Sequence, residues 1–393
     1  MSSSEFDRAF KKPTNKKAFI ELLTEEITDH RAGNAVRHNL NDILLIGILC
    51  VICNGDTFTD MELFGKTHEE ELKKYLELPC GIPSHDTFGD VFSRIDPEEL
   101  SRCFAYFTHS LKETIEEHHI AIDGKTIRGS RGEGRKAKHI VTAFASDLQL
   151  VLGQLAVEDK GNEITAIPAL LDMFCLKGNT VTIDAMGTQT ATAQKIVDKG
   201  GDYVLALKEN QPSLLEDIKF YMENEMLPQN KSDLKGRGLY ANTLDKGHGR
   251  IEKRECFLIP DLTWLDGREK WAGLSGAAMI RANRSFPDGT VSRSDHYFLF
   301  SSPEMTASRL LEIKRGHWAI ENQLHWVLDM TFHEDDSRVR IENAAEVLDL
   351  LRKLALQLIK QETSVKGSMR AKRLRCGYDL SYAFLCLGVN LVS

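Results

Sequence analysis

Hydrophobic and polar positions change rhythm along this chain. Up to about residue 110 the apolar positions recur at helical spacing. Asn39-Leu40-Asn41-Asp42 offers capping groups for the apolar run 43–53 (ILLIGILCVIC), and Thr67-His68-Glu69-Glu70 opens another helix with acids in its first turn. Gly81-Ile82-Pro83-Ser84-His85-Asp86-Thr87 reads as a turn whose Ser84 or Asp86 caps the helix that follows. From residue 116 the rhythm becomes that of buried strands. Apolar, β-branched runs at 120–123, 139–145 (HIVTAFA), 150–157 (LVLGQLAV), 180–184 and 203–207 (YVLAL) alternate with helical stretches at 164–174 and 190–199. The order is β-β-β-α-β-α-β.

Two of these runs stop on an aspartate: His119-Ile120-Ala121-Ile122-Asp123 and Val181-Thr182-Ile183-Asp184. Open α/β sheets gather their chemistry at the carboxyl edge of the strands. The order above is that of a ribonuclease-H-like α/β core, in which strands one and four lie side by side and bring the two carboxylates together.

A connection after the fifth strand usually takes about 2–6 residues, yet the next convincing core helix begins near Met305. Strand-like runs at 255–259, 277–280 and 296–300 (HYFLF) fill the interval, so it reads as an inserted, mainly β subdomain. A helix over 315–329 and a long amphipathic one over 344–359 follow. The expected organisation is a helical N-terminal domain (1–115), a catalytic core in two pieces (116–207 and 304–393) and a β-rich insertion (208–303).

Composition narrows the class. The chain of 393 residues, 42% hydrophobic and 27% charged, suits a globular protein of two or three domains. The longest apolar run is too short to span a bilayer, and the first residues (MSSSEFDRAFKK) hold no apolar signal core. Eight scattered cysteines favour a reduced, cytoplasmic setting, and the Cys50/Cys53 pair inside the apolar run reads as core. Net charge is −8 and the isoelectric point about 5.9, which argues mildly against nucleic acid. Distribution argues the other way. Lys125, Arg128, Arg131, Arg135, Lys136 and Lys138 cluster just after Asp123, and Lys366, Arg370, Lys372, Arg373 and Arg375 form a second group. The first cluster starts beside a candidate catalytic acid, which favours phosphate contact by Lys125, Arg128 and Arg131 over a merely solvated face.

A third acid completes the pattern. His317, Glu321 and His325 recur every fourth residue and line one helical face, with Glu321 beside the apolar stripe that contains Leu324 and Leu328. A carboxylate turned inward needs a positive partner. That partner is a salt bridge or histidine, a divalent ion shared with Asp123 and Asp184, or zinc held by the His-Glu-His line. Zinc would leave the paired aspartates unexplained. Three carboxylates suit magnesium or manganese, and two such ions about 4 Å apart serve phosphodiester chemistry. Asp329, Glu334, Asp335 and Asp336 are rival third ligands. Lys208, Asn210 and Gln211 follow the fifth strand at the same edge, as phosphate contacts or a turn cap. Trp318 and Trp326 read as core rather than base-stacking platforms.

These residues resemble a known family, the H-repeat-associated transposases of bacterial insertion sequences, within the DDE transposases that carry a β-insertion. The resemblance covers nearly the whole chain. It includes Asp29-x-Arg31, His38-x-Leu40-x-Asp42-Ile43-Leu44 and Gly81 to Thr87. In the core it runs through Ile120-Ala121-Ile122-Asp123-Gly124-Lys125-Thr126-Ile127-Arg128, Asn162-Glu163-Ile164-Thr165-Ala166-Ile167-Pro168 and Thr182-Ile183-Asp184-Ala185-Met186-Gly187. Beyond lie Gly201-Asp202-Tyr203, Lys208-x-Asn210-Gln211, His248-Gly249-Arg250, His317-Trp318-x-Ile320-Glu321-Asn322-x-Leu324-His325-Trp326-x-Leu328-Asp329 and Glu334-Asp335-Asp336.

The resemblance implies Asp123, Asp184 and Glu321 as the catalytic, metal-binding triad, with two Mg2+ (or Mn2+) ions. It implies cleavage and strand transfer at the terminal inverted repeats of an insertion sequence, a target DNA, and a homodimer in the DNA complex. His248 and Arg250 in the insertion, and His317, Asn322 and His325 around the third acid, join the DNA-contacting set. The larger group has Tyr, Arg and Lys at set offsets around the third acid. Here Lys314, His317 and Leu328 stand there, so the resemblance leaves the phosphate clamp and the choice between a hairpin and another cleavage pathway open. The alternatives are a related nuclease without strand transfer and a catalytically inactive DNA-binding descendant.

Overall fold

The computed structural model describes residues 23, 25–31, 33, 36–110, 118–132, 134, 136–157, 160–247 and 249–388. Its centre is one nine-stranded sheet in the order β3-β2-β1-β4-β5-β9-β8-β7-β6. The first five strands are β1 (His119–Thr126), β2 (His139–Ala145), β3 (Leu150–Val157), β4 (Thr180–Ile183) and β5 (Asp202–Leu207). β1 to β3 form an antiparallel meander, while β4 runs parallel to both β1 and β5. Strands one and four are neighbours, as expected of a ribonuclease-H-like core.

The insertion differs from the expectation in two ways. A helix, Pro212–Tyr221, follows β5 almost at once, with Pro212 in its first turn, where a missing N–H costs nothing. The four strands beyond it are not a separate sheet. They are β6 (Tyr240–Gly247), β7 (Arg250–Ile259), β8 (Gly276–Ser285) and β9 (Val291–Phe300). β9 pairs antiparallel with β5 from Val204↔Phe300 to Leu207↔Tyr297, so the insertion extends the core sheet.

Two apolar cores flank the sheet, and strand periodicity assigns residues to them. Ile120, Ile122, Val181 and Ile183 enter the core that also holds the insertion strands and helices Glu163–Asp172 and Thr190–Asp198. Ala121 enters the other core, with Ile320, Leu324, Leu328, the long helix Ala344–Gln361 and the N-terminal helices Leu40–Ile52, His85–Arg94 and Pro97–Ser110. The N-terminal helices and the C-terminal ones therefore share a single interior. Ser84 caps His85–Arg94, its hydroxyl accepting from the Thr87 amide at 3.3 Å, and Cys50 is fully buried, both as read from sequence. Among the described residues no helix is long and apolar enough to cross a membrane.

Candidate active site

Alternation along β1 and β4 decides which way the acids point. With Ile120 and Ile122 turned to one core, Ala121, Asp123 and Lys125 face the other side. On β4, Thr182 and Asp184 do the same. The parallel register ends at Ile122↔Ile183, so Asp123 and Asp184 leave it side by side. β1 itself runs on to Thr126, paired with β2 as far as Thr126↔His139. Asp123 thus closes its strand only on the β4 side.

Across that face lies the helix Ala307–Ala319, which continues through a π-helical turn, Ile320–His325, into Trp326–Phe332. Such widened turns interrupt the usual hydrogen-bond ladder and recur at functional positions. This one carries Glu321 and His325. The helix approaches β1 closely because residue 316 is glycine: a Cβ there would lie 2.4 Å from His119 Nδ1. Gly316→Ala should shift the helix and lower activity by about two orders of magnitude, because small misplacements of reacting groups are costly. A fold-sensitive circular dichroism spectrum beside an activity assay checks it; unchanged activity would mean that the approach is not needed.

The acids and the histidine meet here. One ligand atom each from Asp123, Glu321 and His325 lies within 4.8 Å of the others, the one such cluster among the described residues. His325 Nδ1 stands 3.6 Å from Asp123 Oδ2 and 3.5 Å from Glu321 Oε2. Burial, followed by the Glu321 carboxylate opposite, pushes the Asp123 carboxyl up to about 8, whereas the His325 imidazole holds Glu321 well below the usual carboxylate range. The two acids face each other with a proton or a cation required between them. That is the condition a divalent ion satisfies, so the residues fit one.

Asp184 sits apart from that cluster but within its field, and its charge adds to the upward shift of Asp123. Its Oδ1 accepts from the Ala185 amide at 2.6 Å and from Lys208 Nζ at 3.1 Å. Partial desolvation opposes it, but the Ala185 amide and the Lys208 ammonium hold the carboxyl of this half-exposed side chain below the ordinary value. Asn210 donates to Ala185 O at 2.6 Å and Gln211 to Thr188 O at 3.2 Å, fixing the turn after Asp184. Lys208 thus reaches an acid, while Asn210 and Gln211 act as the turn cap.

His317 does not join a zinc-like line. Its Nδ1 lies 2.8 Å from Thr182 Oγ1, which also meets His119 Nε2 at 2.7 Å, tying helix, β4 and β1 together. Burial lowers His317 to about 4, so the ring is neutral near pH 7. A cleft of about 260 Å3 beside Asp184 is lined by Lys208, His296, Lys314, His317 and Trp318 among others.

Several expected residues lie elsewhere. Lys125, 15% exposed, is bonded to Asp329 at 2.5 Å and to the fully buried Glu334, so its charge is engaged inside the protein. The same pairing takes the rival ligands Asp329 and Glu334 away from the cluster, and Asp335 faces Arg128 at 3.6 Å. The Arg128 side chain is nonetheless 81% exposed, and Arg131 is exposed. Arg250 lies at the β6–β7 hairpin, 3.6 Å from Glu252. His248 and Arg135 fall outside the described residues. Leu328 is buried, Lys314 lies 5.5 Å from the Phe298 ring centre, and Asn322 is exposed.

Trp318 and Trp326, read from sequence as core, are 56% and 59% exposed. They sit four residues either side of Asn322, on the solvent side of the helix that carries Glu321. The apolar stripe of that helix is filled instead by Ile320, Leu324 and Leu328.

Comparison with known proteins gives this geometry a family. Residues 115–358 match the family described as "Transposase DDE domain", and 23–108 match its companion, "DDE_Tnp_1-associated". The chain belongs to the DDE transposase family, in its H-repeat-associated branch. It is 37% identical to the "H repeat-associated putative transposase YhhI" of Escherichia coli (strain K12), over 92% of this chain and 97% of that protein. With the "Putative transposase YncI" of Escherichia coli O157:H7 it shares 38% identity over 91% of each. A solved structure titled "Cryo-EM structure of piggyBac transposase synaptic complex with hairpin DNA (SNHP)" aligns at a TM-score of 0.47 and 12% identity, over 98% of this chain and 84% of that one. Within the matched segment, Asp123 and Asp184 lie side by side on β1 and just after β4, with Glu321 on the helix across that face.

Proposed function

We propose that this protein is a cytoplasmic, metal-dependent DNA transposase that cuts and joins insertion-sequence ends as a homodimer. One observation carries the reading: the close approach of Asp123 and Glu321, with Asp184 on the adjoining strand, in a chain of this family. Asp123, Asp184 and Glu321 would hold the metal, Mg2+ or Mn2+, as a pair of ions. Bound there, the metal supplies Lewis-acid stabilisation of a phosphodiester and a more acidic attacking hydroxyl. The protein's own part is to hold these carboxylates, to poise Asp123 so that an arriving cation displaces its proton, and to keep Lys208 beside Asp184.

Domain roles follow the same reading. Residues 1–115 assist in binding transposon ends, 116–207 and 304–393 form the catalytic core, and 208–303 is the insertion. Arg128 and Arg131, beside the site, would contact phosphates, and Trp318 and Trp326 would meet DNA from the exposed side of the Glu321 helix. Replacing both arginines by alanine should weaken binding equally for specific and random DNA and reduce the salt slope by about one per lost contact. Titrations across a salt series decide this; an unchanged slope returns them to a solvated surface.

Metal binding should be linked to protons. Asp123 must be ionised to ligate, and its carboxyl titrates near 8. Below that pH each bound ion displaces a proton, so affinity should rise by up to about tenfold per pH unit and level off above pH 8. Calorimetry in buffers of different ionisation heat measures the released proton directly; none released at pH 7 would place Asp123 outside the ligand set.

The decisive assay offers labelled inverted-repeat ends, a target plasmid and Mg2+ or Mn2+. Joined products support a transposase. Cleavage without joining supports the nuclease alternative, and binding without cleavage the inactive descendant.

A further inference from the structure

The imidazole of His325 has an unusual position for a residue with no assigned task. It is 4% exposed, and its Nε2 is buried without a hydrogen-bond partner. Its Nδ1 faces the Asp123 and Glu321 carboxylates at 3.6 and 3.5 Å. These distances are too long for good hydrogen bonds, which lie near 3 Å. They are close to what a metal imposes: donors each about 2.1 Å from one ion stand roughly 3.0–3.4 Å apart. With its proton on Nδ1 the ring makes at best a long bond to Glu321; with its proton on Nε2 it aims a lone pair between two carboxylates, a repulsion that a cation in the gap relieves.

We propose that His325 is a nitrogen ligand, completing with Asp123 and Glu321 a mixed nitrogen–oxygen site for one first-row divalent transition ion, of which Mn2+ is the natural probe. The site is therefore not all-oxygen. Magnesium strongly prefers oxygen and water, whereas imidazole suits transition ions and carboxylates suit manganese. The π-helical turn has a role in this. It carries both Glu321 and His325, and it sets their ligand atoms against Asp123 of β1. The proposal rests on the reading of these acids as a metal site.

The test uses the full chain loaded with Mn2+ alone. Pulsed electron paramagnetic resonance should detect modulation from a single imidazole nitrogen, which changes to the nitrogen-15 pattern when the histidines are labelled. His325→Gln should abolish it and lower Mn2+ affinity by about tenfold or more, with Mg2+ affinity changed less than about twofold. His317→Gln should retain it. Bound Mn2+ without nitrogen coupling in the unaltered chain overturns the proposal and leaves the carboxylate site standing. So does coupling lost with His317 rather than His325, or an equal loss of Mg2+ and Mn2+ affinity in His325→Gln. Mn2+ binding that is absent, or indifferent to Asp123→Asn, defeats the metal reading itself and this proposal with it. The labelling experiment needs no variant, so a misfolded substitution does not leave the question open.

Discussion

Asp184→Asn is expected to lower DNA-end cleavage by at least about a thousandfold, roughly 4 kcal/mol of transition-state stabilisation, while DNA binding persists. Asparagine keeps the side chain's size and its Oδ1, so the bond from the Ala185 amide that shapes the following turn survives. What disappears is one negative charge beside Asp123. Lys208 loses its carboxylate, but both side chains are more than half exposed, so stability should change by no more than about 1 kcal/mol. Binding, carried by basic side chains, should hold or tighten slightly. The measurement pairs cleavage kinetics with a binding isotherm on one preparation. Cleavage retained at the wild-type rate would remove Asp184 from the site; an unfolded protein would make it structural.

Lys353→Met should cost about 3–5 kcal/mol of folding stability, the usual penalty for stranding one partner of a buried ion pair. Lys353 and Asp349, with side chains 3% and 2% exposed, lie 3.0 Å apart on the long helix. The ammonium also donates to Gln154 at 2.5 Å and Thr142 at 3.1 Å, tying that helix to β2 and β3. Gln154 donates to Asp349 at 2.6 Å. Removing the ammonium leaves the Asp349 carboxylate with only Gln154 and Glu334 as partners, the latter with its own carboxyl pushed up to about 7 by burial and by Asp349. Combining Lys353→Met with Asp349→Asn should restore part of the loss, a coupling visible in urea midpoints. A shift below about 1 kcal/mol for the single change would show that water or relaxation already compensates the pair.

Much of this architecture can be read in the chain before any coordinates. Ile120, Ile122, Val181 and Ile183 mark two buried strands and place Asp123 and Asp184 at the edge of the sheet, while the face that the carboxylates take is set by which core those side chains enter. Glu321 stands out because it sits beside an apolar stripe. Other features are illegible for physical reasons. The helix Pro212–Tyr221 starts among Glu209, Asn210 and Gln211, which look like an ordinary loop, and β6 (YANTLDKG) carries too few apolar residues to signal a strand. Lys125 looks like a free cation because Asp329 and Glu334 are distant in sequence. Indoles such as Trp318 and Trp326 are apolar enough to suggest a core, but only the neighbours supplied by the fold decide whether they are covered. The β5–β9 junction depends on pairing, which no local pattern encodes.

The shared interior of the first and last helices has a consequence for how the protein is made. A ribosome delivers Asp123 and Asp184 early, but the helix that brings Glu321 to them is synthesised only after the whole insertion. The early helices likewise wait for Ala344–Gln361 to cover their apolar sides. Until then the nascent chain has exposed hydrophobic surface and two acids without the third. On the proposed reading, catalytic competence would arrive with structural completion, and a chain interrupted within the insertion would meet chaperones and proteases with its acids still apart.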